Sequence, residues 1–298
     1  MKIIKLFLGL ATALIITVAQ AQAPINVIAT TPPGGLSEKV NLLVQNALEG
    51  AGYKTNLIRY DNCKGAENWL KNNPGKPAVF DYLFVNQAMY VYDPAHPGGC
   101  NLPLTKDNVV NIVLRTQFQA CSLLPKDEAL ALWKSGRGKL GVTATPDLNG
   151  VMADRIVGDV TPNTKVIRYK GNPALIQAMT SREIDFVGQY SNAGSAIAAG
   201  AQCFFTLGDR AKAAQINSTS VDDVKPNSAA RNIGYLTGVI GYNIDIAKMR
   251  PIMINAVKTD PDLKKHFEAG ADQSGVVIGQ TADQQWREID AYINKFKK

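Results

Sequence analysis

The chain has 298 residues, 46% of them hydrophobic and 19% charged, with 32 Lys and Arg against 25 Asp and Glu and a formal net charge of +7. That length can bury a large core in one or two domains. The charges are scattered and form no basic stripe interleaved with aromatics, so a nucleic-acid partner is not expected, whereas a small anionic ligand is compatible.

The N-terminus reads as an export signal. Lys2 and Lys5 precede an apolar run, Leu6 to Val18, and Ala19-Gln20-Ala21 offers the small residues of a cleavage site. The run is too short to span a bilayer comfortably, and no other window is long and apolar enough to do so. Residues 1–21 are therefore expected to be removed, leaving Gln22–Lys298, 298 − 21 = 277 residues. Losing the two lysines takes the charge from +7 to +5.

The mature chain alternates strands and helices. Ile25–Ala29 reads as a strand, Thr30–Gly35 as a turn and Ser37–Leu48 as an amphipathic helix ended by Gly50 and Gly52. A strand at Asn56–Tyr60 and a short helix at Gly65–Lys71 follow. Val79–Val85 is an apolar strand stopping at Asn86-Gln87, and Tyr92–Leu104 is a loop. Asn108–Arg115 and Gln119–Leu124 read as strands, Asp127–Trp133 as a helix, Lys139–Val142 as a strand and Val151–Val157 as a helix.

The most informative stretch is Lys165–Phe186. A strand at Val166–Tyr169 is broken by Lys170-Gly171, and Asn172 is expected to cap a helix that Pro173 opens. Leu175, Ile176 and Met179 share one face of that helix, and Ile184–Val187 resumes the extended pattern. This is a βαβ unit whose helix N-terminus offers free N–H groups to an anion at the carboxyl edge of a sheet. A helix over Asn192–Ala199, a strand at Cys203–Leu207, a polar loop over Asn217–Ala230 and a strand at Tyr235–Tyr242 come next. Helical stretches at Ile246–Lys258, Asp262–Gly270 and Ala282–Phe296 close the chain.

Such alternation predicts an α/β fold with two mostly parallel sheets flanked by helices. The C-terminal helices have no sheet of their own and are expected to pack back on the first block. The economical layout has two lobes joined by two crossings: residues 22–122 with 231–298, and residues 123–230. The four cysteines lack any CxxC spacing, and the two histidines, His96 and His266, lie far apart, so no zinc site is expected. In an oxidising compartment disulfides are the expectation, and three pairings are possible. Cys63–Cys100 with Cys121–Cys203 is favoured because each bridge would stay within one lobe; four free thiols are the alternative.

Two turns have the makings of a ligand site. Pro33-Gly34-Gly35 leads into Ser37 at a helix start, and Thr143–Gly150 sets Thr143, Thr145 and Asn149 ahead of another helix. Neither is a phosphate loop, since no G-K-[ST] or GxGxxG is present. Arg168 and Lys170 are solvated edge residues or a means of steering an anion. Catalytic patterns are missing: there is no G-x-S-x-G and no HExxH. His96 in a Pro/Gly loop and His266 on a helix have no orienting partner nearby in sequence, so neither enzyme activity nor a cofactor is expected.

Several segments resemble the extracytoplasmic solute receptors of tripartite tricarboxylate transporters, the Bug-type receptors. Tyr169-Lys170-Gly171 followed by Pro173-Ala174-Leu175 and Glu183–Phe186 is similar to the family's Tyr-Lys-Gly, Pro-Ala-Leu and Val-Asp run. Pro33-Gly34-Gly35, the stretch from Gly200-Ala201 to Asp209-Arg210, and the tail from Asp260 to Trp286 resemble further family segments. Two departures stand out: Glu38 where the family usually has an aspartate, and Gln189 where an aspartate often follows the Val-Asp strand.

The resemblance implies a two-lobed periplasmic binding protein of type II-like architecture, with a hinge and jaws that close on a small ligand. It implies a periplasmic, monomeric receptor that takes up a carboxylate and delivers it to membrane permease subunits. The site implied is Gly34, Gly35, Ser37, Asn86 and Gln87 from the first lobe with Thr143, Thr145, Asn149, Gln189 and Tyr190 from the second. Gln189 in place of an aspartate would suit an acid or a neutral polar ligand better than an amine. A ligand sensor for a signalling partner and a receptor for a neutral solute are the alternatives.

Overall fold

The computed structural model describes residues 23–30, 36–95, 98–115, 117–143, 153, 156–189, 193–228, 230–231, 234, 236–261 and 280–295. The expected signal peptide, His96, His266 and the helices expected at 151–157 (in large part) and 262–270 lie outside these residues.

The first sheet has the order β2-β1-β3-β11-β4, formed by β1 (Ile25–Ala29), β2 (Thr55–Arg59), β3 (Ala78–Leu83), β4 (Val109–Arg115) and β11 (Leu236–Tyr242). β1 pairs in parallel with β2 and β3, whereas β11 runs antiparallel to both β3 and β4. Strand alternation sends Val79 and Asp81 to one face and Phe80 and Tyr82 to the other. On the first face Val27, Val79 and Val239 pack with Val40, Leu43 and Val44 of α1 (Leu36–Gly50) and Met249 and Met253 of α9 (Ile246–Thr259). On the second, Phe80 and Phe84 join Trp69 of α2 (Cys63–Asn72), Met89 of α3 (Phe84–Tyr92) and Ile289 of α10 (Ala282–Asn294). α9 and α10 do pack back on the first sheet.

The second sheet has the order β10-β9-β5-β8-β6-β7. Its strands are β5 (Gln119–Ser122), β6 (Lys139–Thr143), β7 (Lys165–Tyr169), β8 (Phe186–Gln189), β9 (Gln202–Thr206) and β10 (Thr219–Ser220). β6 pairs in parallel with β7 and β8, β9 pairs in parallel with β10, and β5 alone runs antiparallel to its neighbours β8 and β9. On one face Trp133 of α4 (Lys126–Ser135) packs on Phe186, Phe204 and Phe205 with ring centroids 5.2, 5.9 and 5.1 Å away. On the other, Leu175 and Met179 of α5 (Asn172–Thr180) pack with Ile184 and Val187. The backbone of Gly141 makes room for them: a Cβ there would lie 2.3 Å from Ile184 Cδ1 and 2.7 Å from Leu175 Cδ1.

Disulfides join Cys63 to Cys100 and Cys121 to Cys203. A boundary after residue 122 would put Cys121 in a different lobe from Cys203. β5 instead belongs to the second sheet, through its ladders with β8 and β9, so the crossing lies between Arg115 and Gln119 and the bridge stays on one side. The loop expected over 217–230 contains β10 and a short helix, α8 (Val221–Val224). α6 (Ala193–Ala198) and α7 (Arg210–Gln215) are further helices, and no described helix is long and apolar enough to cross a membrane.

Strand direction fixes where the chain crosses. In the first sheet the carboxyl ends of β1 to β4 and the amino end of β11 share one edge. In the second, the carboxyl ends of β6 to β10 share an edge with the amino end of β5. The chain leaves the first sheet at Arg115, enters the second at Gln119 and returns at Leu236, so both crossings connect the two carboxyl edges. Asp159 fastens the returning segment. It accepts from Lys225 Nζ at 2.8 Å, from Ser228 Oγ and from Ala230 N at 3.4 Å. Burial pushes its carboxyl up, but the Lys225 and Ser228 hydrogen bonds outweigh that and hold it below the usual range.

Candidate ligand site at the carboxyl edges

In open α/β sheets a ligand sits beyond the carboxyl ends of the strands, where helix N-termini present N–H groups. In the first sheet β3 runs straight into α3 with no turn between them. Leu83 occupies the cap position without a side-chain hydrogen bond, which leaves the first-turn N–H groups of α3 uncapped. Asn86 and Gln87, expected at a strand end, lie instead in the first turns of this helix. The apolar run Val79–Val85 hides the change because a buried strand and a buried helix turn have the same composition.

Asn86 is 8% exposed, and its side-chain amide forms no hydrogen bond among the described residues. Its carbonyl accepts from Cys100 N at 3.2 Å, which ties the bridge to the helix start. Gln87 has structural work: Oε1 accepts from Tyr82 Oη at 3.2 Å and Nε2 donates to Asn101 Oδ1 at 3.0 Å. Thr30, just past β1, donates through Oγ1 to Asp81 O at 2.8 Å. Asp81 is fully buried, accepts from Asn41 Nδ2 at 3.3 Å, and is pushed by burial to a pKa of about 8. Glu38, near the expected turn, is half-buried and pairs with Arg59 at 3.0 Å.

In the second sheet β6, β7, β8 and β9 end at Thr143, Tyr169, Gln189 and Thr206 on the shared edge. Asn172 does not cap α5. Gly171 holds that position with φ at +84°, a conformation glycine adopts without strain, and it has no side chain to cap with. Asn172 moves into the first turn, where its Oδ1 accepts from Gln189 Nε2 at 3.0 Å and its Nδ2 donates to Ser195 Oγ at 3.5 Å. Phe118, in the crossing, packs against the strand at Gly188: a Cβ there would lie 2.6 Å from Phe118 Cε2. Tyr169 Oη donates to Glu183 Oε1 at 2.7 Å, and burial together with that carboxylate raises its pKa to about 12.

Of the expected site residues, Asn86, Gln87, Thr143 and Gln189 lie at these edges. Ser37 is in the first turn of α1, with its side chain outside the description, as are Gly34, Gly35, Thr145, Asn149 and Tyr190 altogether. Thr30 and Asp81 are not among the expected site residues, and Asn172 is expected only as a helix cap. Asp81 carries a sequence signal, a lone acidic residue inside Ala78–Leu83; Asn172 carries one only as a cap. Among the described residues no group of three or more His, Cys, Asp or Glu could hold a metal ion.

Two flanked sheets whose carboxyl edges are joined by both crossings decide the architecture. The chain has the fold of a periplasmic binding protein. No family model matches it, and neither does any curated protein. Solved structures do. It is similar to the periplasmic binding protein BugD, with a TM-score of 0.62 and 12% identity over 93% of this chain and 96% of that one. MatC from Rhodopseudomonas palustris, solved with bound malate, gives 0.62 and 10% over 93% and 98%. R. palustris Rpa4515, solved with adipate, gives 0.63 and 10% over 93% and 96%. BugD carries the name of the group that the sequence resembles, and at such identities what is shared with all three is the fold.

Proposed function

We propose that the protein is an exported solute receptor that captures a small carboxylate between the carboxyl edges of its two sheets and hands it to a membrane tripartite transporter. The observation that carries this is the meeting of uncapped helix N-termini, at α3 and α5, with neutral side-chain amides, at Asn86 and Gln189. Free N–H groups and amides can surround an anion without a buried counter-charge. The similar structures solved with malate and adipate support the same ligand class. That BugD is a periplasmic binding protein supports a receptor without turnover in the periplasm, which we take to act as a monomer. The two sheets then act as the jaws: 22–122 with 231–298 as first drawn and 123–230, with β5 moved to the second.

A thermal-shift screen of the mature protein tests this reading. Di- and tricarboxylates, aromatic acids, amino acids and neutral polar solutes are added in turn. A ligand at 100 times its Kd stabilises the folded state by about 2.7 kcal/mol, so one acid class should give a saturable rise. A rise with neutral solutes alone would replace the carboxylate reading by the second one, a receptor for a neutral polar solute. The uncharged side chains of Asn86, Asn172 and Gln189 are what favour that second reading.

A further inference from the structure

The Gln189 amide at the end of β8 is half used. The residue is 3% exposed, and its Nε2 donates to Asn172 Oδ1 at 3.0 Å. Asn172 Nδ2 donates in turn to Ser195 Oγ at 3.5 Å, so in this direction the relay runs from Gln189 through Asn172 to Ser195. That direction leaves Gln189 Oε1 shielded from solvent and without a hydrogen-bond partner among the described residues. Buried amide oxygens are rarely left so, because the lost hydration is not replaced. The amide is held against the first residue of α5, whose N-terminus has no side-chain cap. Pro173 has no N–H, and the first N–H of the helix to find a carbonyl is that of Leu175, on Gly171 O at 3.3 Å. The N–H groups of Asn172 and Ala174 are the first-turn donors that remain without a carbonyl partner among the described residues. Donors for an anion and an acceptor for a proton-bearing group therefore adjoin one another.

We propose that the ligand carries a hydroxyl beside its carboxylate, that Gln189 Oε1 accepts from this hydroxyl, and that Gln189 thereby selects hydroxy acids over the unsubstituted acids. The proposal rests on the receptor reading above. An aspartate at this position would accept equally well but would repel the carboxylate next to it, whereas the amide accepts without that repulsion. An ammonium would also donate, but Gln189, Asn172 and Ser195 are all neutral and supply no counter-charge for a desolvated cation.

Calorimetric titration with matched pairs tests it: succinate against malate, glutarate against 2-hydroxyglutarate, propionate against lactate. The wild type should bind the hydroxylated member of a pair roughly 10- to 100-fold more tightly, as expected where a site is built to receive a hydroxyl. Gln189→Met should bring that ratio close to one by weakening the hydroxylated member more than the unsubstituted one. Gln189→Glu, which keeps an acceptor, should retain the ratio while weakening every acid, and it decides the matter if the methionine variant does not fold. Acids bound without preference, or a preference that survives Gln189→Met, would overturn the hydroxyl proposal and leave the receptor standing. No binding of any acid would overturn both.

Discussion

Asp81 offers a test of the core against pH. Its carboxyl lies between β3 and α1 with Asn41 Nδ2, at 3.3 Å, as its side-chain hydrogen-bond partner among the described residues. Burial is the larger influence and the Asn41 bond the smaller, and together they carry the pKa from 3.8 to about 8. An unfolded chain releases this proton near pH 4, while the native chain keeps it to about pH 8. The native state thus binds the extra proton across that window, so stability must fall as pH rises. Each unit of pH within the window is worth about 1.4 kcal/mol per proton, so the interval from pH 5 to pH 7 removes about 2.7 kcal/mol. At about 2–4 °C per kcal/mol for a chain of this size, the melting temperature should drop by on the order of 5–10 °C over those two units. Asp81→Asn keeps the shape and the polar partner of Asn41 but cannot ionise. Its melting temperature should match the wild type near pH 4, exceed it at pH 7 and follow a flatter curve between, as read by calorimetry or circular dichroism. Parallel curves for the two proteins from pH 5 to pH 8 would mean that the carboxyl is solvated or paired when charged, and the burial argument would be refuted.

Further expectations concern the rest of the scaffold. Trp133→Ala removes the ring that packs on Phe186, Phe204 and Phe205, and should cost about 3–5 kcal/mol in denaturant melts. A loss below about 1 kcal/mol would contradict that packing. Asp159→Ala frees the returning crossing from Lys225 and Ser228 and should cost about 1–2 kcal/mol at neutral pH, discounted for the exposed Lys225. Since the Asp159 carboxyl is held below its ordinary value, the advantage of the wild type is present above pH 3.8 and should vanish as pH falls through the native value. Reduction of Cys63–Cys100 and Cys121–Cys203 should lower stability by about 2–5 kcal/mol per bridge, seen as an earlier melt in dithiothreitol. Identical melts with and without reductant would show that the bridges are not closed in solution.

Local chemistry made much of this protein legible from its sequence. The apolar alternation of Ile25–Ala29 and Val166–Tyr169, the Gly50 and Gly52 stop, and the strand break at Lys170-Gly171 are signals that a few neighbouring residues supply and that distant ones did not overturn. They suffice for an α/β chain in two blocks. What a strand pairs with is not local. Periodicity says which face of β5 or β11 is buried, yet only the ladders put β5 in the second sheet and turned both strands antiparallel to their neighbours. Side-chain amides are still less local. Asn172 is a competent cap in isolation, but Gly171 took that place, and Gln189, arriving from another strand, drew the Asn172 amide into the relay. The sequence determined the elements because those depend on neighbours along the chain; tertiary structure decided the strand pairing, the buried state of Asp81 and a Gln189 oxygen with no partner among the described residues, because each depends on what the fold brings together from afar.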